Sequence, residues 1–553
     1  MVLRSALCVV ALLAWVPGAS HGNGAVQEPK PAPGGRSARI AFVPLDDRPS
    51  SLQYPLMLSD IADAELLTPP RNALGRYLKT GDGDAIAQWL DGLDLSSLDA
   101  VVVSADMLAY GGLIGSRVPR VLEADARRRL ESVAGLKRRR ADLPVLAFST
   151  IMRLAPTADG SNEGWRKKLA RWAEISVGAE ADAALASERG ELERGLPAGM
   201  IDRYRQTRAR NRAVTLALVD MLARNAIDFL AVAQHETAPR GVHVADRDAI
   251  RDAIVSRDLV ARATMDVGPD EAGMLLLARA FAAASSRAPT VAVTYSSATA
   301  GETATPSDRR TLAQVVAAHL AAAGATLDVR QQASDLSLYV YVSRYDSPDQ
   351  AAPFARRIAA AVTAGQPVIV VDIDLQGDTP GASLPFTAAL RNARVLARLA
   401  GYSAYNTVGS AVGTAVSQGI VYEAALDRAA SRSSDAARRV GLAQTKLLLY
   451  RLITDFIYEA VVRPQAIGDL LQPKGMDPLR LDESQQLRVE KYLNDEVQPL
   501  ADSLVADFAS PWRAAGTRRT PPLFTVRDMR DFQLHLPWGR MLEADIDFAL
   551  VTD

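Results

Sequence analysis

The sequence predicts an α/β protein. It should hold a mostly parallel sheet with flanking helices, barrel-like or as two open sheets, followed by a mainly helical C-terminal region. Three observations predict this. Compact apolar runs rich in β-branched residues recur along the first 400 positions, and helical stretches rich in Ala, Leu, Arg and Glu alternate with them. After about residue 408 the strand-like runs fade. Apolar runs without polar alternation suit strands covered on both faces, and strands alternating with helices build βαβ units.

In chain order the strand candidates are Ile40–Leu45, Glu65–Thr68, Ala100–Ser104, Pro144–Ser149, Asp228–Ala233, Val291–Tyr295, Leu336–Val342 and Pro367–Ile373. Helical patterns run over Glu123–Arg140, Asp202–Arg224 and Arg309–Ala323 between them. Later ones cover Gly409–Arg428, Ser434–Arg463 and Asp482–Phe508, with breaks near Pro464 and Pro473. Phe524 to Asp553 mixes short extended pieces with a Pro-Trp pair and should pack back on the body. The charged stretch Thr157–Gly199, with Trp165 and Trp172, reads as a helical insertion over a cleft.

The N-terminus carries a different signal. Arg4 precedes an apolar run, Leu7–Val16, and then the small residues Gly18-Ala19-Ser20. That is the pattern of a secretory signal peptide over residues 1–22, too short to span a bilayer comfortably. Residues 23–37, rich in Gly, Pro and Ala, read as a disordered tether. An α/β catalytic or ligand-binding body over 38–408 and a helical region over 409–553 complete the organisation. A periplasmic or secreted protein is expected, with no stable membrane anchor after cleavage. The single cysteine, Cys8, lies inside the leader, so processing would leave no thiol for a disulfide, a nucleophile or a metal.

Composition narrows the function further. The 553 residues include 63 Lys and Arg against 64 Asp and Glu, a net charge of −1. Such a chain has no global attraction for nucleic acid or anionic lipid. Aromatic residues make up 6 %, which argues against a base-stacking surface.

In parallel sheets, ligands bind beyond the carboxyl ends of the strands. The residues that follow each apolar run therefore matter most. The first run is followed by Asp46-Asp47-Arg48, and another by Asp106 and then Tyr110-Gly111-Gly112. Ser149-Thr150 leads to Arg153, and the next run to Gln234-His235-Glu236. Later runs lead to Ser296-Ser297 and to Asp372 and Asp374. Asp270-Glu271 opens a helix after Gly268-Pro269, and Asn406-Thr407 precedes Gly409, Ser410 and Gly413. Adjacent carboxylates repel unless a cation, a metal or a proton compensates them, which singles out Asp46 and Asp47. The motifs for a phosphate-binding loop and a serine-hydrolase elbow are absent, as is H-E-x-x-H.

Six separated segments keep a recognisable order: Ile40–Pro49, Leu66–Arg71, Ser104–Arg117, Ser149–Arg153, Gly268–Ala278 and Asn406–Thr414. Together they resemble a bacterial family, the domain-of-unknown-function family numbered 4127, from about residue 38 to near the C-terminus. The resemblance implies that these motifs form one site, without an assigned activity. Two departures stand out. Gln234-His235-Glu236 replaces the usual Gln-Asp-Asp, and the aromatic before the Asn-Thr pair is Tyr405.

A rim of carboxylates without a thiol or serine elbow leads to the expectation of a glycoside hydrolase type of enzyme acting on a small-molecule or oligosaccharide substrate. It would use two carboxyl groups as acid and as base or nucleophile. The candidate pool is Asp46, Asp47, Asp106, Glu236, Asp270 and Glu271, with Glu236 as acid and Asp46 or Asp47 as partner. Arg48, Tyr110, Arg153, Gln234, His235, Asn406 and Thr407 would bind substrate. No cofactor is expected. The alternative is a metal-dependent hydrolase of an ester, amide or phosphoester, with a divalent ion on Asp46, Asp106, His235, Glu236 and His243. A non-catalytic periplasmic sugar-binding protein is a third reading.

Overall fold

The β-branched runs become strands of two separate sheets. The computed structural model describes residues 38–235, 239–283, 288–305, 310–330, 334–343, 350–374, 381–514 and 521–553. Residues 1–37, which carry the expected signal peptide and tether, and Glu236 lie outside these residues. Ala38–Val43 (β1), Ala64–Leu67 (β2), Ala100–Ser104 (β3), Val145–Ile151 (β4), Phe229–Gln234 (β5) and Ala263–Thr264 (β6) form the first sheet, in the order β2-β1-β3-β4-β5-β6. Thr290–Tyr295 (β7), Thr326–Leu327 (β8), Leu336–Ser343 (β9), Val368–Asp374 (β10) and Gly401–Ser403 (β11) form the second, in the order β11-β10-β9-β7-β8. Every pairing within the two sheets is parallel. Two open sheets, rather than a barrel, are what the sequence builds.

Both sheets wind the same way. The chain steps from β1 to β2 on one side and then returns to place β3 on the other; β7, β8 and β9 repeat the move. The gaps beyond the ends of β1 and β3, and of β7 and β9, are the switch points where doubly wound folds bind ligands.

Alternation along each strand decides what packs on which face. Ala41, Val43, Val101, Val103, Val145 and Ala147 point to one side of the first sheet and make one core. Ile40, Phe42, Leu146 and Phe148 point to the other, into a larger core that also holds Leu338 and Val370 of the second sheet. The helix Pro269–Ala283 belongs to this shared core through Leu275, Leu276 and Phe281 and is buried on nearly every side. A helix apolar all round suits such a position between two sheets.

Beyond β11 come the helices Val408–Arg432 and Ser434–Leu452, a π-helical stretch Ile453–Val462, and the helix Glu483–Val505. The expected short extended pieces near the end form an antiparallel hairpin, Val526–His535 (β12) with Asp545–Thr552 (β13). The stretch after Thr157 supplies helices Arg166–Ile175 and Ala183–Arg194, with Trp172 buried beside Met152, Leu154 and Tyr204. Among the described residues no helix is long and apolar enough to cross a membrane.

Candidate functional site

The site is built from the carboxyl end of β1 outward. Asp46, Asp47 and Arg48 follow the strand, and Pro49–Gln53 then turns as a short π-helix, a geometry that often marks functional positions. Arg48 is the hub. Its Nε reaches both Asp46 oxygens at 3.0 Å, its Nη2 donates to Asp270 Oδ1 at 2.8 Å, and its Nη1 donates to Glu543 Oε1 at 3.0 Å. Glu543 also accepts from the Ser50 hydroxyl at 3.2 Å. One buried guanidinium thus collects three carboxyl groups from the start, middle and end of the chain.

That arrangement sorts the carboxyls. Burial alone would hold Asp270 protonated, but Arg48, with His235 and Arg117 behind it, outweighs burial and keeps it below the usual carboxylate range. Burial pushes Glu543 up, and repulsion from Asp270 and Asp46 adds to it against the pull of Arg48. Arg48 itself stays charged, because Asp270, Asp46 and Glu543 together overcome its desolvation.

Asp47 faces other partners. Its Oδ1 accepts from the Trp538 indole N–H at 2.7 Å, and its Oδ2 lies 4.0 Å from Arg76 Nε. Burial raises its proton affinity, and the negative charge of Asp46 raises it further, although the indole opposes both. Trp538 stacks on Tyr77 with centroids 5.6 Å apart. Arg48 lies 5.3 Å from the Trp538 ring and Arg540 lies 5.1 Å from the Tyr77 ring. This aromatic pair ties the loop before β13 to the loop after β2.

The ends of β3, β4 and β5 carry the rest. Asp106, in the first turn of the helix Ala105–Tyr110, accepts from the Thr150 backbone N–H at 2.7 Å through Oδ2. Its Oδ1 is buried without a hydrogen-bond partner, and burial lifts the carboxyl to about 7. Tyr110 is buried with its ring 4.4 Å from Arg210. Arg153 donates to the carbonyl of Ala155 at 2.8 Å. His235 keeps an exposed edge, yet desolvation by its surroundings, reinforced by Arg117 and Arg153, pushes its imidazole down to about 4.

Other residues of the sequence-based pool are placed elsewhere. Glu271 is buried among helices, accepting from the Gly268 N–H at 2.6 Å and the Ser410 hydroxyl at 3.2 Å, with His319 Nε2 at 3.1 Å. A Cβ on Gly413 would come within 2.6 Å of the Glu271 Cβ, so that glycine serves a close helix contact. Thr407 caps the helix Val408–Arg432 by accepting from the Ser410 N–H at 3.2 Å, and Asn406 beside it is exposed with φ +58°. The Asn406–Gly413 motif is therefore a helix start and a packing seam. Gln234 uses its side chain to donate to the Met265 carbonyl, which holds β5 to the chain after β6. His243 is fully buried in the helix Val242–Ser256. Among the described residues no three His, Asp or Glu side chains converge where they could hold a metal ion.

The family model described as "Protein of unknown function (DUF4127)" matches residues 40–547. The chain belongs to the DUF4127 family. No curated protein matches it. The family match runs from β1 to β13, so it takes in Asp46, Arg48, Asp270 and Glu543 alike.

Sequence reasoning missed Glu543, Trp538, Tyr77 and Arg117. Tyr77 and Trp538 both have positive φ, 49° and 63°, values a bulky residue adopts only where its surroundings hold it there. The Pro-Trp pair was the one visible signal for the C-terminal contribution. Glu543 carries no local pattern at all.

Proposed function

We propose that this member of the DUF4127 family is an exported carbohydrate-active hydrolase of the glycoside hydrolase type, acting in the periplasm or outside the cell. One observation carries the reading. Arg48 outweighs burial and keeps Asp270 ionised, while burial and the charge of Asp46 push Asp47, the residue just before Arg48 in the chain, toward the protonated form. Glycosidic cleavage needs such a pair, one carboxyl to protonate the leaving oxygen and one carboxylate to act as base or nucleophile. Both side chains keep some solvent contact, 17 % for Asp270 and 9 % for Asp47, whereas Asp46 is spent on Arg48.

The roles follow from those environments. Asp47 supplies the proton, and Asp270 assists water or attacks the anomeric carbon. Asp46 and Glu543 position Arg48. Export rests on the leader pattern of Arg4 and Leu7–Val16.

The test is release of reducing ends from a panel of oligosaccharides by the purified protein. D47N and D270N should each lower kcat by about 100- to 10,000-fold with the fold intact by circular dichroism. Two variants that hydrolyse a substrate found in this way at the wild-type rate would remove the assignment.

A further inference from the structure

Three carboxyl groups pair directly with Arg48, whereas among the described residues none pairs directly with Arg117. Arg117 follows the turn after the helix Ala105–Tyr110, close to the carboxyl ends of β3 and β4. Its Nη1 donates to Thr157 Oγ1 at 2.9 Å. Its Nη2 is buried with no hydrogen-bond partner among the described residues. Asp106 and Asp270 attract it from a distance, but Arg153 and Arg48 repel it more strongly. A buried cation left without a counter-charge is costly, and native folds rarely keep one. A planar guanidinium with an unused N–H is also the group best shaped to grip an oxyanion.

We infer that Arg117 is the oxyanion-binding residue of the candidate site, there to take a carboxylate, sulfate or phosphate group carried by the substrate. This rests on the hydrolase reading and narrows it: the sugar is an acidic one, a uronic acid or a sulfated or phosphorylated residue. Thr157 holds one arm of the guanidinium, and the buried, unbonded Nη2 is the N–H that an oxyanion would satisfy.

Thermal unfolding of the full chain at constant ionic strength tests it. The probes are glucuronate, galacturonate, inorganic sulfate and inorganic phosphate, with glucose and chloride as controls. At least one oxyanion should raise Tm saturably, and glucose and chloride should not. R117M should abolish the rise, and R117K, which keeps the charge and loses the fork, should weaken the affinity about tenfold. A response to the uronates alone identifies a carboxylate sugar. A response to sulfate or phosphate alone identifies an esterified one.

If none of the four anions acts beyond the chloride control, or if R117M binds as wild type does, the inference is overturned. Should R117M fail to fold, an unchanged affinity in R117K overturns it equally. The hydrolase reading fails separately. Anion binding measured by Tm needs no turnover, so D47N and D270N can retain turnover while Arg117 still binds. Conversely, those variants can lose turnover in a protein that no oxyanion stabilises.

Discussion

Trp538 donates its indole N–H to Asp47 Oδ1 at 2.7 Å, across 491 positions of sequence. The bond brings the C-terminal hairpin to the candidate site and tunes the carboxyl proposed as the acid. The indole favours the ionised form of Asp47 against burial and the charge of Asp46. In W538F the donor is gone, so the Asp47 proton affinity should rise further. The carboxyl resonance of Asp47, followed by NMR across pH, should titrate at higher pH in W538F than in wild type. A midpoint that stays put or falls contradicts the electrostatic account.

Arg48 compensates Asp46, Asp270 and Glu543 at once. R48M leaves three crowded carboxyls without their cation, and breaking a buried pair costs about 3–5 kcal/mol. Urea unfolding at pH 7 should reveal a loss of that order. The loss should shrink toward pH 4, where the orphaned carboxyls are protonated.

Asp106 makes the opposite prediction for a single carboxyl. Its folded affinity sits at about 7 against an ordinary 3.8, so the folded state binds the proton more tightly than the unfolded chain does. Stability therefore falls as pH rises from about 4 to about 7 and stays lower above that. By the size of the displacement the penalty at pH 8 is on the order of 4 kcal/mol. D106N keeps an oxygen for the Thr150 N–H and has no proton to lose. It should be more stable than wild type at pH 8 and close to it at pH 4, by chemical unfolding at both values.

His235 reports on the cations around it. Desolvation by its surroundings, then Arg117 and Arg153, hold this surface-reaching ring near 4, so its resonances should not titrate between pH 5 and 8. R117M removes one repulsive charge and should move the midpoint up toward the ordinary value of 6.5. D270N removes an attractive one and should move it down.

The seam at Glu271 predicts a packing defect. G413A places a methyl 2.6 Å from the Glu271 Cβ and 2.7 Å from its Cγ. Overpacking of this kind typically costs about 1–3 kcal/mol. Unfolding should show that loss, and because Asp270 precedes Glu271 in the same helix and bonds Arg48, turnover by the folded fraction should fall as well.

Much of the architecture was legible because burial on both faces leaves a trace in composition. Ala100–Ser104 and Leu336–Ser343 consist mainly of β-branched and apolar residues, and each became a strand at or within a residue of its expected bounds. The edge strands Ala263–Thr264, Thr326–Leu327 and Gly401–Ser403 are two or three residues long, too short to carry a periodic signal. The extended pieces of the C-terminus were expected, but their bounds and pairing were not legible, for another reason. Val526–His535 is mostly charged or polar, with buried Val526, Met529 and Leu534 spaced irregularly by bulges. Of the site, the Asp46–Arg48 cluster was legible because adjacent carboxylates beside a cation are costly anywhere else.

Glu271 and Asp270 divide the two kinds of knowledge most clearly. The sequence by itself determined that both open a helix after Gly268-Pro269 and that strands and helices alternate around them, since propensity and hydrophobic period act over a few residues. Only the tertiary structure decided that Asp270 meets Arg48 in the cleft while Glu271, one position on, turns into the helix seam toward His319 and Ser410. Adjacent residues in a helix point about 100° apart. Which of those directions faces a pocket depends on elements more than a hundred residues away, and no local pattern records it.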